Sequence, residues 1–133
     1  MNDAQRARFD EIVAEELTRL PGRFAPLLDE LHIIVEDLPD AEMLADLGMT
    51  PAEADELCGL HTGVSLTDRS VEEDSVLPTQ IHLFRTGILF TAEGWDGPRG
   101  EEGVRAEIRI TLLHELGHQL GLDEDDLADL GYA

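Results

Sequence analysis

His114-Glu115-Leu116-Gly117-His118, near the end of the sequence, sets two histidines four residues apart with a glutamate between them. In an α-helix, residues with this spacing lie about 40° from one another on one face, one turn apart, so both imidazoles can reach one metal ion. A zinc ion held by imidazoles lowers the pKa of its bound water to about 7, and an adjacent carboxylate can take up the proton. The stretch therefore predicts a zinc site, with His114 and His118 as ligands and Glu115 as the general base.

The residues around this motif are typical of an amphipathic helix over Val104–Leu120. Its apolar residues recur on the side opposite the two histidines: Ile108, Leu112, Leu116 and Leu120. Glu101 and Glu102 suit the first turn of such a helix, and Gly121 suits a left-handed stop. We therefore expect one face to pack on a core and the other to carry the metal, rather than an accidental pair of histidines on a surface helix.

The composition predicts a single domain over residues 1–133, because 133 residues with 42% hydrophobic content suffice for one core. Nine basic residues, all arginine, against thirty acidic ones give a net charge of −21. This charge disfavours nucleic acid and anionic membranes as partners and favours cationic ones. The first residues lack the apolar core of a signal peptide, and no stretch has the roughly 18 apolar residues of a membrane span, so we expect a cytoplasmic protein. The single Cys58 is expected to be a small buried residue and not a reactive thiol.

Hydrophobic periodicity and turn residues predict the remaining elements. An N-terminal helix capped by Asp3 carries Phe9, Ile12, Val13, Leu17 and Leu20, and Pro21-Gly22 stops it. In chain order, the others are a strand at Leu31–Glu36, a short helix from the capping box at Thr50 to Cys58-Gly59, a strand at Leu60–Leu66, a polar loop at Thr67–Ser75, a long strand at Gln80–Phe90 interrupted at Gly87, and a turn at Gly94–Pro98.

Four blocks of the chain resemble the small bacterial zincin-like metallopeptidases, or minimal zincins. They are Leu20-Pro21, the run LHTGVSLTDR from Leu60 to Arg69, Leu77-Pro78 with the run IHLFR from Ile81 to Arg85, and above all the run from His114 to Gly121. The resemblance implies an α+β, zincin-like fold in which a small mixed β-sheet packs against the N-terminal helix and the metal helix. It also implies a zinc-dependent peptidase that acts on a peptide or protein. No methionine follows Met49, so the Met-turn of the metzincins is missing.

The third zinc ligand is expected in the acidic run from Asp123 to Asp126, which Gly121 can turn back toward the motif helix. Asp125 and Asp126 fit the first turn of a following helix, where acids favour the dipole. Asp123 suits the N-cap of that helix, which leaves Glu124, although Asp123 stays open as the alternative. The resemblance implies a ligand at the position of Glu124, where the family usually has aspartate.

Other residues receive weaker interpretations. His61 and His82 lie on predicted strands and are expected to be structural. Arg85 and Tyr132 could stabilise an oxyanion, but the sequence does not place them near the metal. An extended peptide is expected to bind along a free edge in the Gln80–Phe90 region, as the resemblance implies.

Two alternative functions remain at this stage. One is a zinc-binding scaffold or interaction module of the same fold with little catalytic activity. The other is an acidic regulatory domain without a metal, because short motifs also match by chance. The sequence determines neither the substrate nor the oligomeric state.

Overall fold

The computed structural model describes residues 1–28, 31–62, 79–119 and 121–129. Six α-helices and three strands are found there, in the order α1 (Asp3–Thr18), α2 (Ala25–Leu28), β1 (Leu31–Glu36), α3 (Ala41–Asp46), β2 (Gly59–Thr62), β3 (Thr79–Phe84), α4 (Arg85–Thr91), α5 (Gly100–Gln119) and α6 (Glu124–Asp129). Two short 3₁₀ helices, Gly22–Phe24 and Pro51–Glu56, complete the order. The fold is therefore α+β, as the resemblance to the zincin-like proteins implied.

The three strands form one small mixed sheet in the order β1-β3-β2. Strand β1 runs parallel to β3, with Ile33 opposite Ile81, and β2 runs antiparallel to β3, with His61 opposite Ile81. Strand β3 is thus the central strand. This arrangement contradicts the expectation of a free edge in the Gln80–Phe90 region, because both sides of residues 80–83 are paired.

The core lies between the sheet, α1 and α5. One cluster of buried side chains joins all three, and it includes Phe9, Ile12, Val13, Ile81, Leu83, Ile108, Leu112 and Leu116. The apolar spacing of α1 and α5 predicted this packing, since each helix presents one apolar stripe to the sheet. The predicted packing of a small sheet against the N-terminal helix and the motif helix is confirmed.

The N-cap of α1 is Asn2 and not Asp3. The Asn2 side chain accepts a hydrogen bond from the Gln5 backbone N–H at 2.8 Å, and the Gln5 side chain accepts one from the Asn2 N–H at 3.0 Å. This reciprocal pair satisfies two backbone donors at once. Asp3 instead pairs with Arg6 at 3.2 Å.

The predicted long strand at Gln80–Phe90 is wrong in its second half. The strand ends at Phe84, and residues 85–91 form helix α4. Gly87 explains the change. A Cβ at this position would lie 2.0 Å from the Leu57 carbonyl oxygen, so α4 packs directly on the backbone at the end of the 3₁₀ helix Pro51–Glu56. A short apolar run fits a strand and a buried helix equally well, and this contact, which is distant in sequence, decides between them.

The other predictions differ from the structure at element ends. The capping box at Thr50 is confirmed, but the helix that it starts is the 3₁₀ helix Pro51–Glu56. Residues 59–62 of the second strand are described, whereas residues 63–66 and the predicted polar loop at 67–75 lie outside the described residues. The turn at residues 94–98 is confirmed, and helices α2 and α3 were not predicted. Within the described part of the chain, no helix is long and apolar enough to cross a membrane.

Candidate metal centre

Helix α5 carries the HExxH motif in its last two turns. It begins at Gly100, four residues before the predicted start, and ends at Gln119. Ile108, Leu112 and Leu116 are completely buried, as their spacing predicted, and His114 and His118 are partly exposed on the other side. The helix therefore holds both imidazoles at the rim of the core, where solvent can reach them.

The chain reverses direction immediately after α5. Gly121 has a φ of +83°, its N–H donates to the His118 carbonyl oxygen at 2.9 Å, and the Leu122 N–H donates to the Gly117 carbonyl oxygen at 3.0 Å. These bonds satisfy the last carbonyl groups of α5, and the positive φ turns the chain back along the helix. Glycine is the residue that adopts such a φ without strain.

Helix α6 then packs on the motif itself. A Cβ added to Gly117 would lie 2.3 Å from Cδ2 of Leu127, which is completely buried. The glycine inside the motif thus gives α6 room to dock on α5. As a result, the first residue of α6, Glu124, lies beside the two histidines.

Three potential ligand atoms converge at this point: Nε2 of His114, Nε2 of His118 and Oε1 of Glu124. The two nitrogens are 3.1 Å apart. The Glu124 oxygen lies 3.4 Å from the His114 nitrogen and 2.9 Å from the His118 nitrogen.

These distances fit a zinc ion. In a tetrahedral site with metal–ligand bonds of about 2.1 Å, neighbouring ligand atoms are about 3.4 Å apart. Two imidazoles and one carboxylate are also a ligand set of catalytic zinc sites, in which water takes the fourth position. The three side chains could therefore hold zinc with only small adjustments.

The other acids of the run face different partners. Asp123 accepts a hydrogen bond from the Asp126 N–H at 2.9 Å, and Asp126 accepts one from the Asp123 N–H at 3.2 Å. This is the capping arrangement that the sequence analysis proposed for Asp123, and it directs the Asp123 carboxylate to the backbone. Asp125 is exposed in the first turn of α6. The structure thus places Glu124, and not Asp123, beside the histidines.

Glu115 lies on the side of α5 that faces β2, and it is 8% exposed. Gly59 at the start of β2 comes so close that a Cβ there would lie 2.7 Å from Cγ2 of Thr111 and 3.4 Å from Cγ of Glu115. Strand β2 is therefore the sheet edge next to the proposed general base. Among the described residues, no strand pairs with its outer side.

A cavity of about 350 Å³ opens beside His114 and Glu115. Helix α5 lines it with Glu107 and Thr111 in addition to these two residues, and Glu56 contributes from the 3₁₀ helix Pro51–Glu56. Sequence reasoning missed both Glu56 and Glu107. The spacing could have indicated Glu107. It precedes His114 by seven residues, or about two helical turns, and so lies on the same helix face.

Cys58 also lines this cavity and is only partly buried, which corrects the expectation of a small buried residue. Its sulfur lies 3.3 Å from the Thr91 hydroxyl. Burial raises the pKa of the thiol, the contact with Thr91 opposes the shift, and the carboxylates of Glu107 and Glu115 add to it. The group is therefore a neutral thiol at pH 7, in line with the expectation that it is not reactive.

Of the remaining candidates, His82 and Arg85 have their described partners away from the metal centre. His82 is 4% exposed and contacts Glu36 through Nδ1 at 3.0 Å, as expected for a structural histidine. Arg85 pairs with Asp10 at 2.9 Å and with Asp37 at 3.0 Å, and so anchors α4 to α1 and to the end of β1. The side chain of His61 and the whole of Tyr132 lie outside the described residues.

Comparison with known protein families gives a match that covers most of these features. A family model described as zincin-like metallopeptidase matches residues 28–132. The match spans well over half of the chain and includes the three strands, the motif helix and Glu124.

Proposed function

Because the chain belongs to the zincin-like metallopeptidase family, we propose that it is a zinc-dependent peptidase in which His114, His118 and Glu124 hold the metal. The convergence of the three ligand atoms carries this proposal, since their separations of 2.9 to 3.4 Å match the edges of a zinc coordination shell. The donor set supports catalysis over a purely structural role. Three protein ligands leave a fourth position for water, whereas structural zinc sites are usually closed by four protein side chains.

Zinc bound at this site would polarise a carbonyl group and lower the pKa of its water to about 7. The Glu115 carboxylate is the residue proposed to accept the proton and to return it to the leaving amine. Its low exposure suits this role, because a base shielded from bulk water exchanges its proton with the reactants. Glu115 is adjacent in sequence to a proposed ligand and is not one of the three residues whose ligand atoms converge, which suits a role in proton transfer and not in metal binding.

The proposed substrate is an extended peptide that adds to the outer side of β2 by main-chain hydrogen bonds. Strand β2 replaces the edge that we expected in the Gln80–Phe90 region. Its close approach to α5 at Gly59 would bring such a peptide past Glu115. The net charge of −21 favours neutral and basic peptides over acidic ones at long range.

The test combines zinc analysis of the purified protein with cleavage of a diverse peptide library. We expect about one zinc per chain, and cleavage that Glu115→Gln reduces by roughly 10²–10⁴-fold without loss of zinc. Glu102→Gln is the matched control, because it removes one charge from an exposed position on the same helix. His114→Ala should abolish both zinc binding and cleavage.

Two outcomes would contradict the proposal. Stoichiometric zinc without cleavage of any library peptide would favour the scaffold function over the peptidase. Equal cleavage by the wild type and Glu115→Gln would show that this carboxylate is not the base.

A further inference from the structure

The cavity beside the metal centre extends along α5, away from the histidines. Glu107 lies seven residues before His114, so the two side chains leave the helix within about 20° of each other and about 10 Å apart along its axis. A substrate side chain that enters the cavity next to His114 would therefore point toward Glu107. A volume of about 350 Å³ is at the lower end of the range for ligand sites, roughly 300–1,000 Å³, and suits one long side chain.

Most of the ionisable groups that line this cavity are acidic. Apart from His114, its ionisable lining consists of Glu56, Glu107, Glu115 and the neutral thiol of Cys58. Within the described ranges, neither Glu56 nor Glu107 forms an ion pair.

The arginines of α5 do not compensate these acids, because they face α1. Arg105 binds Glu15 at 2.6 Å, and Arg109 donates to the Arg19 carbonyl oxygen at 3.4 Å. Burial raises the pKa of the Cys58 thiol, the contact with Thr91 opposes this shift, and the carboxylates of Glu107 and Glu115 add to it, so the thiol contributes no positive charge to the cavity. A positively charged group would relieve this concentration of acids.

The wall between the metal end and the acidic end is less polar. Ile110 and Thr111 lie between Glu107 and His114 along α5, and Cys58 and Thr91 also line the cavity. Apolar walls with a charge at the far end match the side chains of lysine and arginine, which carry a cation on a flexible apolar stem. Such a stem reaches about 6 Å, and together with the side chain of a glutamate it covers the distance to Glu107.

We propose that this cavity binds the side chain of a lysine or arginine residue of the substrate, with Glu107 and Glu56 as partners of its cationic end. The proposal rests on the proposed function, because it assigns the substrate class of the same site. The proposal differs from a general attraction of basic peptides by the net charge. It assigns the preference to one position of the substrate and to the carboxylates of Glu107 and Glu56.

The test measures binding, so that its outcome is separate from that of catalysis. Two fluorescent peptides that differ only in lysine or norleucine at the central position are titrated into the Glu115→Gln protein, in which we expect cleavage to be slowed by roughly 10²–10⁴-fold. The cavity is lined by protein atoms alone, so the titration is done with and without added zinc. The preference for the lysine peptide can then be measured even if the proposed zinc site fails.

We expect the lysine peptide to bind about five- to tenfold more tightly than the norleucine peptide. Adding Glu107→Gln should remove most of this ratio, and Glu56→Gln should reduce it from a different element of the fold. Glu102→Gln, which removes one charge outside the cavity, should leave it unchanged. Thermal unfolding of each variant establishes that it is folded.

Cys58 shows where the peptide binds, because it is the one cysteine of the chain and lines the cavity. Since its pKa is raised, its reaction with iodoacetamide is followed at mildly alkaline pH. Saturating lysine peptide should slow the reaction severalfold. The proposal is overturned by equal affinities for the two peptides, by an equal loss of preference in Glu102→Gln and Glu107→Gln, or by an unchanged reaction rate at saturation.

Discussion

Replacing Glu124 with alanine separates metal binding from folding more cleanly than any other change at the site. The Glu124 side chain is 67% exposed and contacts the two histidines through a single oxygen. Its removal should therefore change the stability of the metal-free protein by no more than about 0.5 kcal/mol, as for other exposed substitutions. It does, however, remove one of the three potential ligand atoms.

The expected loss of zinc affinity follows from the ligand count. Zinc sites closed by four ligands bind with about 10–16 kcal/mol, or roughly 2.5–4 kcal/mol per ligand. At 1.4 kcal/mol per factor of ten, Glu124→Ala should weaken zinc binding by about 10²–10³-fold. The same loss should appear in thermal unfolding, because a ligand at a hundred times its Kd stabilises the folded state by about 2.7 kcal/mol.

The assay is competition for zinc with a chromophoric chelator, together with thermal unfolding at a fixed zinc concentration. Asp125→Ala is the control for charge and should bind zinc like the wild type. Asp123→Ala removes the cap that bonds to the Asp126 N–H, which should cost about 1 kcal/mol of helix stability and weaken zinc binding less than tenfold. If Asp123→Ala releases zinc and Glu124→Ala retains it, the assignment is wrong by one residue.

Three further predictions concern packing, pH and salt. Gly87→Ala should destabilise the protein by about 1–3 kcal/mol, because the new Cβ would meet the Leu57 carbonyl oxygen at 2.0 Å; an unchanged melting temperature would contradict the packing of α4. Burial alone would raise the pKa of the Asp37 carboxyl, but hydrogen bonds from Arg85 and Arg6 together outweigh it and lower the pKa. Asp37 therefore stabilises the protein at pH values above its unfolded pKa, and this contribution is lost as the pH falls through its folded pKa. The stability difference between the wild type and Asp37→Asn should therefore shrink between about pH 5 and pH 2 in acid titrations followed by circular dichroism, and a constant difference would contradict the assignment. The general preference for basic over acidic peptides should fade as the salt concentration rises from roughly 0.05 to 0.5 M, because the Debye length falls below about 5 Å at the upper end. A preference that is independent of salt would show that long-range charge does not cause it.

Features encoded by neighbouring residues could be predicted from the sequence. The motif helix, strand β1, the capping box at Thr50 and the reversal at Gly121 each depend on a few residues close together in the chain. The capping role of Asp123 could be predicted for the same reason, since an aspartate before a helix preferentially caps it, and this made Glu124 the preferred candidate while Asp123 stayed open. These predictions required no knowledge of the rest of the fold.

Features decided by distant contacts could not be predicted. Helix α4 exists because Gly87 packs on Leu57, thirty residues earlier, and the run alone does not reveal that contact. The central position of β3 depends on pairing with two strands from different parts of the chain. Glu56 reaches the cavity from a separate element, so no spacing relative to the motif could have revealed it.

The docking of Leu127 on Gly117 would link the proposed zinc site to the stability of the folded chain. The helix that presents Glu124 to the histidines also places a completely buried leucine against the motif. Zinc bound as proposed would stabilise the docked helix, and the docked helix would stabilise zinc binding by the same free energy, because such coupling is reciprocal. In a cell short of zinc, α6 would detach more often and expose an unfolded segment to degradation. The amount of protein would then follow the zinc available to it, without any separate sensor.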